Sequence, residues 1–154
     1  MTNEPVPAVL TARRHRADLW VLMSDLEHAI AAALPGRVPA WAQEVHERLV
    51  ELSGGFQRHC ADTEASGGLF DAVLEAAPRL DGAVRRLGDE HHAITETITN
   101  LLVEARGISR QGTAEEAETL RQHVTDLLGM LTRHRQHSAD LVYEAYAVDV
   151  GVGD

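Results

Sequence analysis

The segment LRQHVTDLLGMLTRHRQHSADLVYEA, residues 120–145, determines which fold we expect of this chain. Its apolar residues recur every three or four positions, a spacing that places them on one face of an α-helix. That face also carries one histidine and one serine among the aliphatic side chains. Its members are Leu120, Val124, Leu127, Leu131, His134, Ser138, Leu141 and Ala145. The segment therefore predicts an amphipathic helix that turns an imidazole toward the protein core.

Three other stretches of the chain have the same helical spacing. Their apolar stripes are His15, Leu19, Leu22, Leu26, Ile30 and Ala33; Trp41, Val45, Leu49, Leu52, Phe56 and His59; and Leu80, Val84, Leu87, His91, Ile94, Ile98 and Leu101. Turns that contain Gly or Pro separate the four stretches, at 35–37, 66–68 and 110–113. Four amphipathic helices with mostly short connections predict an all-α protein, an up-down-up-down four-helix bundle.

The turns that contain Gly or Pro also set the expected boundaries of the helices. We expect a single domain that covers residues 1–154, with a short connector helix within 68–77, between the second and third long helices. The long helices are predicted at roughly 8–34, 39–65, 78–107 and 113–147, and a tail at 148–154. Thr113 is the expected N-cap of the last helix, because its hydroxyl can accept a hydrogen bond from a free backbone N–H.

The composition restricts the class of protein and its partners. The 154 residues include 44 % hydrophobic but only 4 % aromatic residues, and a core rich in Ala and Leu favours helix. A formal net charge of −10 opposes binding to nucleic acid and to anionic membranes, so we expect neither partner. Cys60 is the single cysteine, which excludes an internal disulfide. With no apolar run of signal-peptide or membrane-spanning type, we expect a soluble cytoplasmic protein.

Nine histidines are an unusual number for 154 residues, and their spacing sorts them into two classes. One histidine falls in each stripe, and these four are His15, His59, His91 and His134. The other five lie roughly 60° or more from the stripe, at about 100° per residue. These five are His28, His46, His92, His123 and His137.

The four stripe histidines are also predicted to lie at one height. In an antiparallel pair of helices, residues at the same height have numbers that are symmetric about the connecting turn. His15 and His59 are symmetric about the first turn, and His91 and His134 about the third turn. The chain therefore reads as two similar helical hairpins whose histidines can meet in a shared core.

Four histidines buried at one height favour a metal site over an ordinary core. Burial of an unpaired polar side chain costs about 2–7 kcal/mol, so four such burials are together unfavourable. A bound metal offsets this cost, since structural metal sites contribute on the order of 10 kcal/mol. Two alternatives stay open at this point: a purely structural layer of histidines, and a site for another ligand such as haem.

Three stretches resemble the hemerythrin-like cation-binding family: FQRHCADTEASGGLF at 56–70, EAAPRLDGAVRRLGDEHHAI at 75–94 and HRQHSADLVYEAYAVDVGVGD at 134–154. The resemblance covers nearly the whole chain. It implies a four-helix bundle in which each hairpin supplies a histidine and a His-x-x-x-Glu motif around two bridged irons. It also implies a protein that binds or reacts with O₂, peroxide or NO, or that senses iron or redox state. Some related bundles are oxygen-activating enzymes that oxidise small organic molecules, so enzymatic activity is left open.

Carried over residue by residue, the resemblance implies iron ligands at His15, His59, His91 and His134. The two motif glutamates do not carry over, because Thr63 and Ser138 stand in their places. Two adjacent irons repel each other and need anionic ligands, which four neutral imidazoles do not supply. The nearby candidates for additional ligands are Glu64, Glu90, His92 and His137.

Three arrangements of the site follow from these residues. The first is a diiron centre in which Glu64, His137 or His92 and solvent bridges replace the missing glutamates. The second is a mononuclear histidine-rich site for iron, zinc or a similar divalent ion, which imidazole ligands suit. The third is a bundle without its metal that acts as a binding or interaction module.

Overall fold

The computed structural model describes residues 6–32 and 36–147, and this part of the chain is helical without any strand. The long helices are α1 (Pro7–Ala31), α2 (Val38–Glu64), α4 (Asp81–Gln111) and α5 (Ala114–Tyr146), with the short helix α3 (Leu69–Ala76) between α2 and α4. A single 3₁₀ turn, Pro78–Leu80, leads into α4. The all-α prediction is confirmed for these residues.

The observed boundaries differ from the predicted ones chiefly at the third long helix. Its α-helical part begins at Asp81 and continues to Gln111, whereas the sequence predicted 78–107. The helix is longer because its apolar face continues through Ala105 and Ile108, which are both buried. The predicted tail at 148–154 and the stripe residue Ala33 lie outside the described residues.

Thr113 caps α5, as the sequence predicted. The Glu116 backbone N–H donates to Thr113 Oγ1 at 3.1 Å, and the Thr113 backbone N–H donates to Glu116 Oε1 at 3.1 Å. The two bonds form a capping box that satisfies backbone donors which have no partner within the helix. The start of α5, and with it the position of His134 along the bundle, is therefore set by local sequence.

Contacts between the long helices show how they run beside each other. Those between α4 and α5 are Glu104 with His123, Thr97 with Met130, and Glu90 with His137. Residue numbers fall along one helix as they rise along the other, so the two helices are antiparallel. Trp20 with Arg135 and Ala32 with Arg121 give the same result for α1 and α5.

Two apolar clusters form the core, and polar residues lie between them. The larger cluster draws on α1, α2, α4 and α5, whereas the smaller one draws on α1, α3, α4 and α5. On α4, His91 lies between Leu87 of the smaller cluster and Ile94 of the larger one. The buried polar residues of the described chain are His59, Thr63, His91, His134 and Ser138. They form a polar layer across the bundle.

The short helix α3 closes the end of the bundle beyond this layer. α2 ends at Glu64, only five residues after His59, so it contributes nothing to the smaller cluster. Leu69 and Val73 of α3 are buried there instead. Gly67 makes the tight connection with φ at +77°, a left-handed conformation that favours glycine. No helix in the described part of the chain is long and apolar enough to cross a membrane.

Candidate metal centre

Three histidines from three helices meet in the polar layer. His59, His91 and His134 are each 3 % exposed, and each offers one ligand atom within 4.8 Å of the other two. The closest pair is His59 Nε2 and His134 Nε2, 3.3 Å apart. A tetrahedral ion that binds imidazole at about 2.0–2.1 Å holds two ligand nitrogens about 3.3 Å apart. The separation of this pair therefore suits two ligands of one ion.

The imidazoles of His59 and His134 are neutral near pH 7. Burial, followed by the nearby His91 and His134, lowers the pKa of His59 from 6.5 to about 3. Burial and His91 lower the pKa of His134 from 6.5 to about 4, although Glu90 opposes the shift. Histidine binds metals in its neutral form. Neither ring therefore carries the second proton that would prevent it from binding a metal.

Glu64 fixes the orientation of His91. His91 Nδ1 donates a hydrogen bond to Glu64 Oε1 at 2.7 Å; because the carboxylate can only accept, Nδ1 carries a proton and Nε2 is the nitrogen left to bind a metal. His91 Nε2 is buried without a hydrogen-bond partner among the described residues. A carboxylate behind an imidazole whose other nitrogen is free is the usual arrangement around a metal-binding histidine.

Glu90 has a comparable position behind His134. Its carboxylate accepts a hydrogen bond from His137 Nδ1 at 2.6 Å and lies 3.5 Å from His134 Nδ1. His134 Nε2 is thereby left to face His59. Glu64 and Glu90, which the sequence suggested as additional ligands, contact the outer nitrogens of the histidines in this structure. His137 lies at the surface with 56 % of its side chain exposed, and His92 is also exposed.

Aromatic rings form the apolar walls of the site. Phe56 packs against all three histidines. Its ring centroid lies 5.6, 5.8 and 6.0 Å from those of His59, His91 and His134. Phe70 of α3 stacks on His91 at 5.6 Å. Helical spacing places Phe56 in the stripe but does not indicate Phe70, because Phe70 lies in the connector helix. The two rings separate the imidazoles from solvent.

His15, the fourth stripe histidine, does not belong to the group of three. Its Nε2 lies 3.1 Å from Asp62 Oδ2, and 21 % of its side chain is exposed. The buried face of α1 is formed by Val9, Ala12, Leu19, Met23, Leu26, Ala29 and Ile30. At about 100° per residue, the centre of that face passes between positions 15 and 16. His15 is therefore at the edge next to α2, where Asp62, which the sequence analysis overlooked, is its partner.

The two residues that replace the motif glutamates are buried but supply no charge. Thr63 Oγ1 donates to the backbone oxygen of His59 at 2.6 Å, within its own helix. Ser138 is 5 % exposed. Beside Thr63 and His15, a surface cavity of about 350 Å³ reaches toward the layer. The positions that would carry carboxylates in a diiron site are thus neutral here.

Residues outside the group of three have partners elsewhere. His28 Nδ1 lies 2.8 Å from the backbone oxygen of Ser24, and His123 Nδ1 lies 2.9 Å from Glu104 Oε2. Cys60 is half-buried, and burial followed by the charge of Glu64 raises the pKa of its thiol to about 12. The thiol is therefore a poor nucleophile and metal ligand near neutral pH.

The donor set suits one borderline divalent ion. Three imidazoles match iron and zinc better than magnesium or calcium, which prefer oxygen ligands. A buried nitrogen without a partner costs about 1–3 kcal/mol, and a metal ion would satisfy His91 Nε2. In their observed rotamers, Glu64 and Glu90 contact the outer nitrogens of the histidines and so supply no charge to a second ion. The residues present therefore fit a single ion.

Comparison of the chain with protein-family models, with curated proteins and with solved structures gives no match. The expected relation to the hemerythrin-like family therefore stays a prediction. The three histidines and their surroundings are the basis for the function proposed below.

Proposed function

We propose that this chain is a hemerythrin-like, up-down-up-down four-helix bundle that holds one non-haem iron ion and binds or reacts with O₂, peroxide or NO. The observation that carries this proposal is the group formed by His59, His91 and His134, whose ligand atoms lie within 4.8 Å of one another in a buried layer. The family resemblance of the sequence supports iron as the ion.

The surrounding residues have defined tasks in this proposal. Glu64 holds the proton on His91 Nδ1 and so keeps Nε2 available. Glu90 acts in the same way behind His134, and Phe56 and Phe70 exclude water from the imidazoles. When bound, an iron ion with open coordination positions would supply the affinity for a small oxidant or for NO.

A two-ion site is the second candidate, and one observation favours it. Glu64 and Glu90 approach the group of three from different helices, each next to a different histidine. A change of their side-chain rotamers would bring two carboxylates to the metal, as a diiron centre requires. The number of ions per chain separates this candidate from the mononuclear one.

Elemental analysis and an optical spectrum of protein purified anaerobically from iron-replete cells test the proposal. We expect one iron per chain and no Soret band. Two irons, with near-ultraviolet absorption from an oxo-bridged ferric pair, would establish the second candidate instead. Protein that contains only zinc would exclude the redox role but would support the metal site. Protein without stoichiometric metal would refute both candidates.

Glu64→Ala should weaken metal binding by about 10–100-fold, the usual effect of removing a carboxylate behind a ligating histidine. Without its acceptor, the His91 ring loses both its orientation and the preference for the proton on Nδ1. The measurement is a competitive titration of Fe²⁺ or Zn²⁺ against a chelator of known affinity.

Glu104→Ala is the matched control, because Glu104 accepts a hydrogen bond from His123 at 2.9 Å outside the site. We expect its metal affinity to equal that of the unaltered protein. Equal losses in the two variants would show that Glu64 has no special relation to the metal.

A further inference from the structure

Two histidines of the stripes are flanked by arginines on both sides. The tripeptides are Arg14-His15-Arg16 on α1 and Arg133-His134-Arg135 on α5. Residues directly before and after a helical position project about 100° to either side of it. Because α1 and α5 are neighbours, one arginine of each tripeptide can face the groove between them.

Arg16 and Arg135 meet at this groove. The Arg135 guanidinium carbon lies 4.7 Å from the centroid of the Trp20 ring, and Trp20 is one turn after Arg16 on α1. Burial, then the charges of Arg13 and Arg135, lower the pKa of Arg16. Arg13, Arg16 and Arg135 thus form one cluster of positive charge, which we call the arginine patch.

Three arginines outside the patch have a carboxylate partner on their own helix. Arg48 pairs with Glu51, Arg85 with Asp81 and Arg121 with Glu118, each three or four residues away. Within residues 6–32 and 36–147, no carboxylate lies within ion-pair distance of a guanidinium of the patch. Three positive charges are therefore gathered without an ion pair to a described residue.

Arg16 also has a buried donor without an acceptor. Its Nη1 is inaccessible to solvent and has no hydrogen-bond partner in the described part of the chain. This nitrogen is buried because of the position of Arg16 on α1. The centre of the buried face of α1 passes between His15 and Arg16, so Arg16 lies at the edge of that face next to α5. A buried donor left unpaired costs about 1–3 kcal/mol, and more when it is charged. Rotation of the Arg16 side chain toward the groove would give this nitrogen an oxygen atom of a bound anion as its acceptor.

We propose that the arginine patch binds a phosphate-type oxyanion in the groove between α1 and α5, with Arg16 and Arg135 as the main donors. Guanidinium groups donate pairs of parallel N–H bonds to oxyanions, and phosphate has enough oxygens and charge for more than one such group. Trp20, 55 % exposed, forms one side of the site. This site is separate from the three-histidine group and does not depend on the proposed metal.

Calorimetric titration of the full chain with inorganic phosphate tests the proposal, with chloride at the same ionic strength as the reference. We expect saturable binding of one phosphate per chain. Adenosine monophosphate serves as a second probe, since tighter binding of the ester than of free phosphate would identify a phosphorylated small molecule as the ligand. Tighter binding of free phosphate would identify the inorganic ion.

Arg16→Gln and Arg135→Gln should each weaken phosphate binding by about tenfold or more, as expected for loss of a charge-assisted hydrogen bond. Arg85→Gln is the matched control, because Arg85 is exposed and paired with Asp81. Arg135 is exposed, so its variant keeps the test decisive even if Arg16→Gln does not fold. His59→Ala, which should lose the metal, is expected to retain phosphate binding.

Three results would overturn the proposal. Phosphate that binds no better than chloride would show that the patch is only solvated. Equal weakening in Arg85→Gln and in Arg135→Gln would show a general effect of net charge. Loss of phosphate binding in His59→Ala, with both arginines intact, would place the anion on the metal.

Discussion

His59→Ala is expected to abolish stoichiometric metal binding. The substitution leaves two ligands where the structure brings three together, and it removes the nitrogen that lies 3.3 Å from His134 Nε2. Structural metal sites with four ligands contribute on the order of 10 kcal/mol, so one ligand accounts for about a hundredfold or more in affinity. Elemental analysis and chelator competition measure this loss, and His134→Ala should behave in the same way.

His28→Ala, His46→Ala and His123→Ala are the controls for this result. His28 and His123 have partners outside the site, in Ser24 and Glu104. These variants should keep the metal content and affinity of the unaltered protein. If they lost metal to the same extent as His59→Ala, the division of the histidines into two classes would be wrong.

Phe56→Ala should destabilise the metal-free protein by about 3–5 kcal/mol, the usual cost of removing a fully buried phenyl ring. Phe56 is 1 % exposed and contacts the rings of all three site histidines. Its loss therefore opens a cavity next to the three imidazoles. Urea denaturation followed by circular dichroism measures the change in free energy of unfolding.

Phe56→Leu and Val103→Ala make this result specific. Leucine fills much of the space and should cost much less than alanine. Val103 is 72 % exposed, so its truncation should change the free energy of unfolding by less than about 0.5 kcal/mol. A loss below about 1 kcal/mol for Phe56→Ala would mean that the histidine layer does not depend on this ring.

The helical spacing of the sequence predicted burial well, because it maps directly onto one face of a helix. Every stripe residue in the described chain is buried except His15 and Leu22, which are half-buried. Both exceptions are on α1, where Met23 is buried in preference to Leu22. A rotation of α1 about its axis by a few tens of degrees decides whether Leu22 or Met23 is buried. Apolar spacing alone does not define the rotation of a helix so closely.

Contacts across helices were harder to predict than burial. The sequence placed Glu64 about 140° from His59 and so toward a neighbouring helix, and its carboxylate does reach His91 on α4. Nothing in the spacing indicated that it would accept a hydrogen bond from the outer nitrogen. Glu90 with His137 and Asp62 with His15 depend likewise on side-chain rotamers.

The net charge of the chain does not indicate the arginine patch. A total of −10 argues against a long nucleic-acid surface, but it does not describe a single groove. Arg16 and Arg135 are far apart in sequence and become neighbours only when α1 lies beside α5. Local electrostatics therefore has to be derived from the fold.

The helix α3 covers one side of the histidine layer. A helix of eight residues has no stability in water on its own, so α3 stays in place only through side chains such as Leu69 and Val73. Its Phe70 covers His91. Local release of α3 would uncover this imidazole while the four long helices stay together. Exchange of an ion at the proposed site would then depend on the opening free energy of one short helix, and not on the global stability of the bundle.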